Sequence, residues 1–185
     1  MAKRILNVGC GEDTYGTDFT DKYPQRAEVK KCDQDKDKLP FPSNTFDEIR
    51  CRGVLEHLRN HGFALEEIHR VLKPNGKLSL STDNASYWGF SCGKTHLGGY
   101  GEAEIFGDHN DHFSLFTESH LTEHAKAAKF KDIKVKYKLT NPKGMQFFEK
   151  EYGLRHIVRL LVKFMLNITP LWRMGYSRLE MVAIK

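Results

Sequence analysis

Two glycines one residue apart, Gly9-Cys10-Gly11, close a short apolar run over residues 4–8. Glycines at such a point let the backbone turn sharply and let a ligand approach the main chain closely. Polar residues follow three more apolar runs in the same way: Asp33-Gln34, Arg52-Gly53 and Asp83. A carboxylate can accept two hydrogen bonds from ribose hydroxyls, and the amino group of an adenine also needs an acceptor. Asp18 and Asp33 are the candidates, with Gln34 beside the second. Each acid also reads as a solvated surface group, since Asp35 and Asp37 follow in a polar stretch.

The residues around the glycines discriminate between ligands. A dinucleotide site requires GxGxxG and a helix N-terminus for the pyrophosphate. Position 14 is Thr14, and Glu12 and Asp13 stand beside the turn. Two carboxylates repel a pyrophosphate but not an ammonium and a sulfonium, so the local charge favours S-adenosylmethionine over NAD. Methyl transfer from that cofactor asks mainly for alignment and exclusion of water. A general base is required only where the acceptor must lose a proton, and histidine suits that task near neutral pH. His57, in the run after Arg52-Gly53, and His112 are the candidate bases, though a lone histidine is also read as structural. His109, Asp111 and His112 lack a further ligand at a diagnostic spacing, and Cys10, Cys32, Cys51 and Cys92 form no CxxC pair, so no metal site is expected.

These residues need a scaffold that brings strand ends together. Residues 4–8, 29–32, 46–51, 77–82 and 178–184 read as strands, and Ile133, Val135, Tyr137 and Leu139 alternate as another. Helices are expected over 54–58, 63–72 and 117–129, the last capped by Thr117. Residues 12–28 show no periodicity. Residues 83–116 read as a long lid or substrate segment whose aromatics, Tyr87, Trp88, Phe90, Tyr100 and Phe106, either wall a pocket or pin the loop to the core. Alternating strands and helices imply a single α/β domain over 1–185, with a mostly parallel sheet covered by helices on both faces. In such sheets ligands bind at the carboxyl ends of the strands.

Charge and hydropathy narrow the partners. Lys and Arg number 29 against 24 Asp and Glu, a net charge of +5. Part of the excess sits on Lys134, Lys136 and Lys138, the wet face of a strand, which argues against a nucleic-acid partner. No apolar run is long enough to span a membrane, and a cytoplasmic location is expected. An apolar helical insertion is expected over 145–175, with Arg155, Arg159 and Lys163 beside its apolar face. It covers the core, contacts a second copy, or rests on a membrane surface through 145–172 to reach a lipid-like acceptor. The oligomeric state is left open.

Taken together, Leu6-Asn7-Val8-Gly9-Cys10-Gly11, then residues 39–49 (LPFPSNTFDEI), Val54-Leu55-Glu56-His57-Leu58 and residues 67–76 (EIHRVLKPNG) resemble the class I S-adenosylmethionine-dependent methyltransferases, in the group with a short LNxGCG motif. The resemblance implies a Rossmann-like, seven-stranded sheet with its last strand antiparallel. It implies that the cofactor's methionine end lies over Gly9 and Gly11, on either side of Cys10, that Asp18 binds the ribose, that Asp33, with Gln34 beside it, lies near the adenine, and that Arg52-Gly53 abuts the cofactor. One departure is that only six residues separate Gly11 from Asp18, too few for the family's usual helix. The function implied is methyl transfer to a small-molecule or lipid-like acceptor; the alternatives are a non-catalytic cofactor-binding module serving a partner protein and an RNA methyltransferase. Gly9→Asp is expected to abolish cofactor binding without unfolding the chain.

Overall fold

The computed structural model describes residues 3–87, 112–138 and 178–185. In chain order the elements are β1 (Ile5–Val8), β2 (Asp18–Asp21), β3 (Val29–Lys31), β4 (Phe46–Arg52), a 3-10 turn (Leu55–His57), α1 (His61–Val71), β5 (Leu72–Asp83), α2 (Glu118–Ala127), β6 (Lys131–Lys138) and β7 (Arg178–Ile184). They build one seven-stranded sheet in the order β3-β2-β1-β4-β5-β7-β6. The strands β1 to β5 pair in parallel, while β7 runs antiparallel to both of its neighbours, β5 and β6. The order reverses at β1, and the carboxyl ends of β1, β2, β3, β4 and β5 share one rim with the start of β7.

Burial explains the central strands. Leu6, Val8, Phe46, Ile49, Cys51, Leu78, Leu80, Leu179, Met181 and Ala183 are all buried. Helix α1 presents Leu65, Ile68 and Val71 to this core at helical spacing. It is capped by Asn60, whose side chain accepts from the Phe63 amide, and α2 is capped by Thr117, which accepts from His120. The two helices pack on each other, with the rings of His61 and His124 5.7 Å apart. Strand β6 lies at the sheet edge with Lys134, Lys136 and Lys138 exposed and Ile133, Val135 and Tyr137 against the core, as the alternation requires.

Three expectations change. The run 54–58 holds only a 3-10 turn. Residues 73–76, left between the helix expected over 63–72 and the strand expected over 77–82, lie inside β5 as a bulge: two steps along β4, Phe46 to Glu48, match five along β5, Leu72 to Lys77. The polar stretch 12–28 contains β2, where only Thr20 is fully buried. Its sequence, Asp-Phe-Thr-Asp, carries no clear pattern, and the strand exists because β1 and β3 pair with it on both sides. No helix joins β1 to β2. Instead the return is bonded back along β1: the Thr17 amide donates to the Ile5 carbonyl, and the buried Asn7 side chain donates to the Tyr15 carbonyl. Most of the proposed lid (83–116), with Trp88, Phe90, Tyr100, Phe106, His109 and Asp111, lies outside the described residues, as do the 145–175 insertion and its 145–172 surface.

Candidate active site

The glycine turn is built from main-chain bonds. Gly9 and Gly11 both have positive φ, +62° and +50°. The Cys10 amide donates to the Thr20 carbonyl, and the Gly11 amide donates to Asp21 Oδ2 at 2.8 Å. Asp21 is the last residue of β2, so its carboxylate stands beside the turn. A Cβ on Gly9 would collide with Val54 Cγ2, whereas one on Gly11 would meet nothing within 4 Å. Gly9 is therefore needed for packing of β1 against the residues after β4, and Gly11 keeps an open approach to the main chain. The acids next to the turn are not equal. Glu12 is exposed, but Asp13 pairs with Arg50 Nη2 at 2.7 Å and accepts from the Tyr15 amide. Its charge is compensated, which weakens the argument from two free carboxylates.

Beyond β3, Asp33 faces Lys22 Nζ at 3.3 Å and Lys36 Nζ at 3.6 Å. Burial pushes its carboxyl up, but the Asp35 amide and the two lysines outweigh that, and it lies below the usual carboxylate range. Gln34 is buried, and its Nε2 has no hydrogen-bond partner. It lines an apolar cavity with Val8, Leu39, Cys51, Val54 and Leu58. Asp35 Oδ1 accepts from the amides of Arg59 and Asn60 at 2.7 and 2.9 Å, tying this loop to the start of α1. Cys51, wholly buried under the cavity, has its thiol pushed up to about 12 by desolvation and then by Glu56.

At the ends of β4 and β5 the rim becomes a buried charge cluster. Gly53, at φ +66°, sits where a Cβ would lie 3.7 Å from the Arg178 guanidinium and 3.8 Å from Glu56 Oε1. Glu56 and Asp83 are both completely buried. The Thr82 hydroxyl donates to Glu56 Oε2 at 2.9 Å, and Arg178 Nη2 lies 3.8 Å from Oε1. Burial, and then the neighbouring Asp83, raises the Glu56 carboxyl above the usual range. Asp83 lies between two cations or potential cations: Arg178 Nε is 3.4 Å from Oδ1, and His112 Nδ1 is 3.1 Å from Oδ2. The His57 ring meets the His112 ring edge-on at 4.4 Å. The chain around His112 is pinned: the amides of Phe113 and Ser114 donate to the Glu56 carbonyl, and the Ala85 amide donates to Phe116.

The structure thus brings Gly9, Cys10, Gly11, Asp33, Gln34, Arg52, Gly53, His57 and His112 to the carboxyl rim of the sheet. It does not bring Asp18 there. Asp18 opens β2 at the opposite end, opposite Leu6, and is held by Arg4 through Oδ1 and Oδ2 at 2.7 and 2.9 Å. The acid at the rim end of β2 is Asp21, three residues and roughly 10 Å further along the strand. Reading the sequence missed it because β2 itself was not visible. It also missed Glu56 and Arg178; an acid inside the apolar run Val54-Leu55-Glu56-His57-Leu58 was the available signal for the first. Among the described residues no group of three His, Cys, Asp or Glu forms a metal site, and no helix is long and apolar enough to cross a membrane.

Comparison with known proteins agrees with this architecture. A family model described as a methyltransferase domain matches residues 2–135. An uncharacterized methyltransferase of Schizosaccharomyces pombe is 33% identical over 104 residues, covering 40% of this chain and 37% of that protein. A demethylmenaquinone methyltransferase of Geobacillus sp. is 33% identical over 94 residues, covering 45% of this chain and 40% of that protein. The chain therefore spans about two fifths of the length of these relatives. Among solved structures, an S-adenosylmethionine dependent methyltransferase from Mesorhizobium loti superposes with a TM-score of 0.63 at 15% identity, over 100% of this chain and 91% of that one.

Proposed function

We propose, because the chain belongs to the methyltransferase-domain family, whose donor is S-adenosylmethionine, that it methylates a small-molecule or lipid-like acceptor at the carboxyl rim of its sheet. The observation that carries this reading is the turn at the end of β1, where Gly11 offers open main chain and Asp21 stands alongside. The residues present fit the cofactor. Gly9, Cys10 and Gly11 would face its methionine end, and Asp21, in place of Asp18, its ribose hydroxyls. Asp33 and the unpartnered Gln34 amide would face the adenine, and Arg52-Gly53 would close the site from β4. Bound there, the sulfonium supplies an electrophilic methyl carbon. The chain's own work is to align the acceptor, keep water away and, where required, accept a proton. His57 and His112, ring against ring and with His112 on the buried Asp83, stand on the acceptor side. The demethylmenaquinone methyltransferase relative supports an apolar, quinone-like acceptor.

Thermal denaturation with S-adenosylmethionine, S-adenosylhomocysteine and NAD tests the cofactor site. At about 100 times Kd a ligand stabilises by about 2.7 kcal/mol, which for a domain of this size is roughly 5–11 °C. We expect that shift with both sulfur nucleosides and none with NAD, and its loss in Asp21→Asn but not in Asp18→Asn. Absence of any shift at millimolar ligand overturns the reading. Methyl transfer to demethylmenaquinol dispersed in detergent then tests the lipid-like acceptor.

A further inference from the structure

We propose that Asp83 is a positioning residue that fixes the imidazole of His112 as the base of the reaction, so that the acceptor is a compound that must give up a proton as it is methylated. The inference rests on the methyl-transfer reading and deepens it by naming the acceptor's chemistry.

Asp83 ends a central strand and is completely buried, a place where a carboxylate persists only with partners. Its partners are Arg178 on one oxygen and His112 Nδ1 on the other. The angles are those of ion pairs and not of aligned hydrogen bonds, a looseness that catalytic contacts commonly show before substrate binds. A carboxylate at Nδ1 favours the tautomer with its proton on that nitrogen, which leaves Nε2 as the basic atom. Such a carboxylate–imidazole pair is the general device for setting a histidine base. The second buried carboxyl here, Glu56, is raised above the usual range by its burial and then by the neighbouring Asp83.

Position supports the assignment as well. The segment carrying His112 is bonded to the Glu56 carbonyl and to the end of β5, so the ring is delivered to the rim by the backbone. Among the described residues, Asp83 from β5 and His57 from the 3-10 turn meet the ring, while Glu56 and Arg178 from β7 stand beside Asp83. In the reaction the acceptor atom bonds the methyl carbon, and the C–S electron pair stays on the donor's sulfur. The acceptor's proton passes to His112 Nε2, Asp83 balances the imidazolium, and the proton leaves to water afterwards.

Long-range 15N–1H NMR of the histidine side chains in the full chain, without any acceptor, tests this. The expected result is a neutral His112 protonated at Nδ1. In Asp83→Asn the proton should move to Nε2 and the midpoint of titration should fall by about one pH unit or more. Asp83→Glu should restore both in part. A purely structural Asp83 would leave tautomer and midpoint unchanged in a folded Asp83→Asn variant, and that result overturns the proposal. If Asp83→Asn does not fold, the wild-type tautomer decides alone, and protonation at Nε2 overturns it. Failure of the methyl-transfer reading is seen separately, as an absent thermal shift with S-adenosylhomocysteine in the unmutated chain.

Discussion

A methyl group added to Gly9 would strike Val54, whereas one added to Gly11 meets nothing, although both residues have the same left-handed backbone. The consequence is a pair of opposite outcomes. Gly9→Ala should lower stability by about 2 kcal/mol or more, from strain and overpacking together. Gly11→Asp should cost no more than about 1 kcal/mol, because aspartate tolerates this conformation, while losing the thermal shift with S-adenosylmethionine. Urea denaturation and ligand-induced shifts on the two variants check both. This reassigns the expected test from Gly9→Asp to Gly11, since a side chain at Gly9 damages packing along with the site. The glycine spacing, Asp33 and Arg52-Gly53 were legible because each follows an apolar run whose end can be seen. Asp18 and Asp21 were not distinguishable, since which of two acids three residues apart reaches the rim depends on a strand whose only fully buried side chain is Thr20.

At the scale of elements, the loop after β3 and the start of α1 are joined by one carboxylate. Asp35 Oδ1 accepts from two amides, of Arg59 and Asn60, immediately before the helix. Asp35→Ala should therefore cost about 0.5–2 kcal/mol, the usual range for a lost helix-start acceptor. It should also weaken cofactor binding, since the same loop carries Asp33 and Gln34. Calorimetric unfolding with and without S-adenosylhomocysteine separates the two effects. The helices were legible from their periodicity and caps, and the core strands from their apolar runs. The bulge at Lys73-Pro74-Asn75-Gly76 was not, because a turn inside a strand and a turn between a helix and a strand use the same residues. The 3-10 turn at Leu55–His57 shows the same limit, one apolar run serving a helix or a single tight turn equally well.

The whole sheet depends on its last strand. β7 pairs with β5 from Lys77 to Asp83 and with β6 from Lys131 to Lys138, and it contributes Arg178 to the buried charge cluster. Removing residues 178–185 should leave β6 without its neighbour in the sheet and Asp83 without its guanidinium. The shortened chain should lose its cooperative urea transition, which circular dichroism would show; retention of a sharp transition would mean that β1 to β5 fold alone. The antiparallel position of this strand was implied by family resemblance, since pairing between segments so far apart leaves no local trace in the residues.

The place of β7 also sets an order of events on the ribosome. Residues 139–177 are made after β6 and before its sheet neighbour, which at ordinary elongation rates is a wait of roughly 2–8 s. Until then β6 lacks the strand it pairs with, and an unpaired strand is the kind of surface through which chains join one another. Lys131, Lys134, Lys136 and Lys138 then guard it, because a second strand laid alongside would bring like charges together in a row. The lysines that face water in the folded protein thus also set a like-charge penalty against the pairing of two growing chains through this strand.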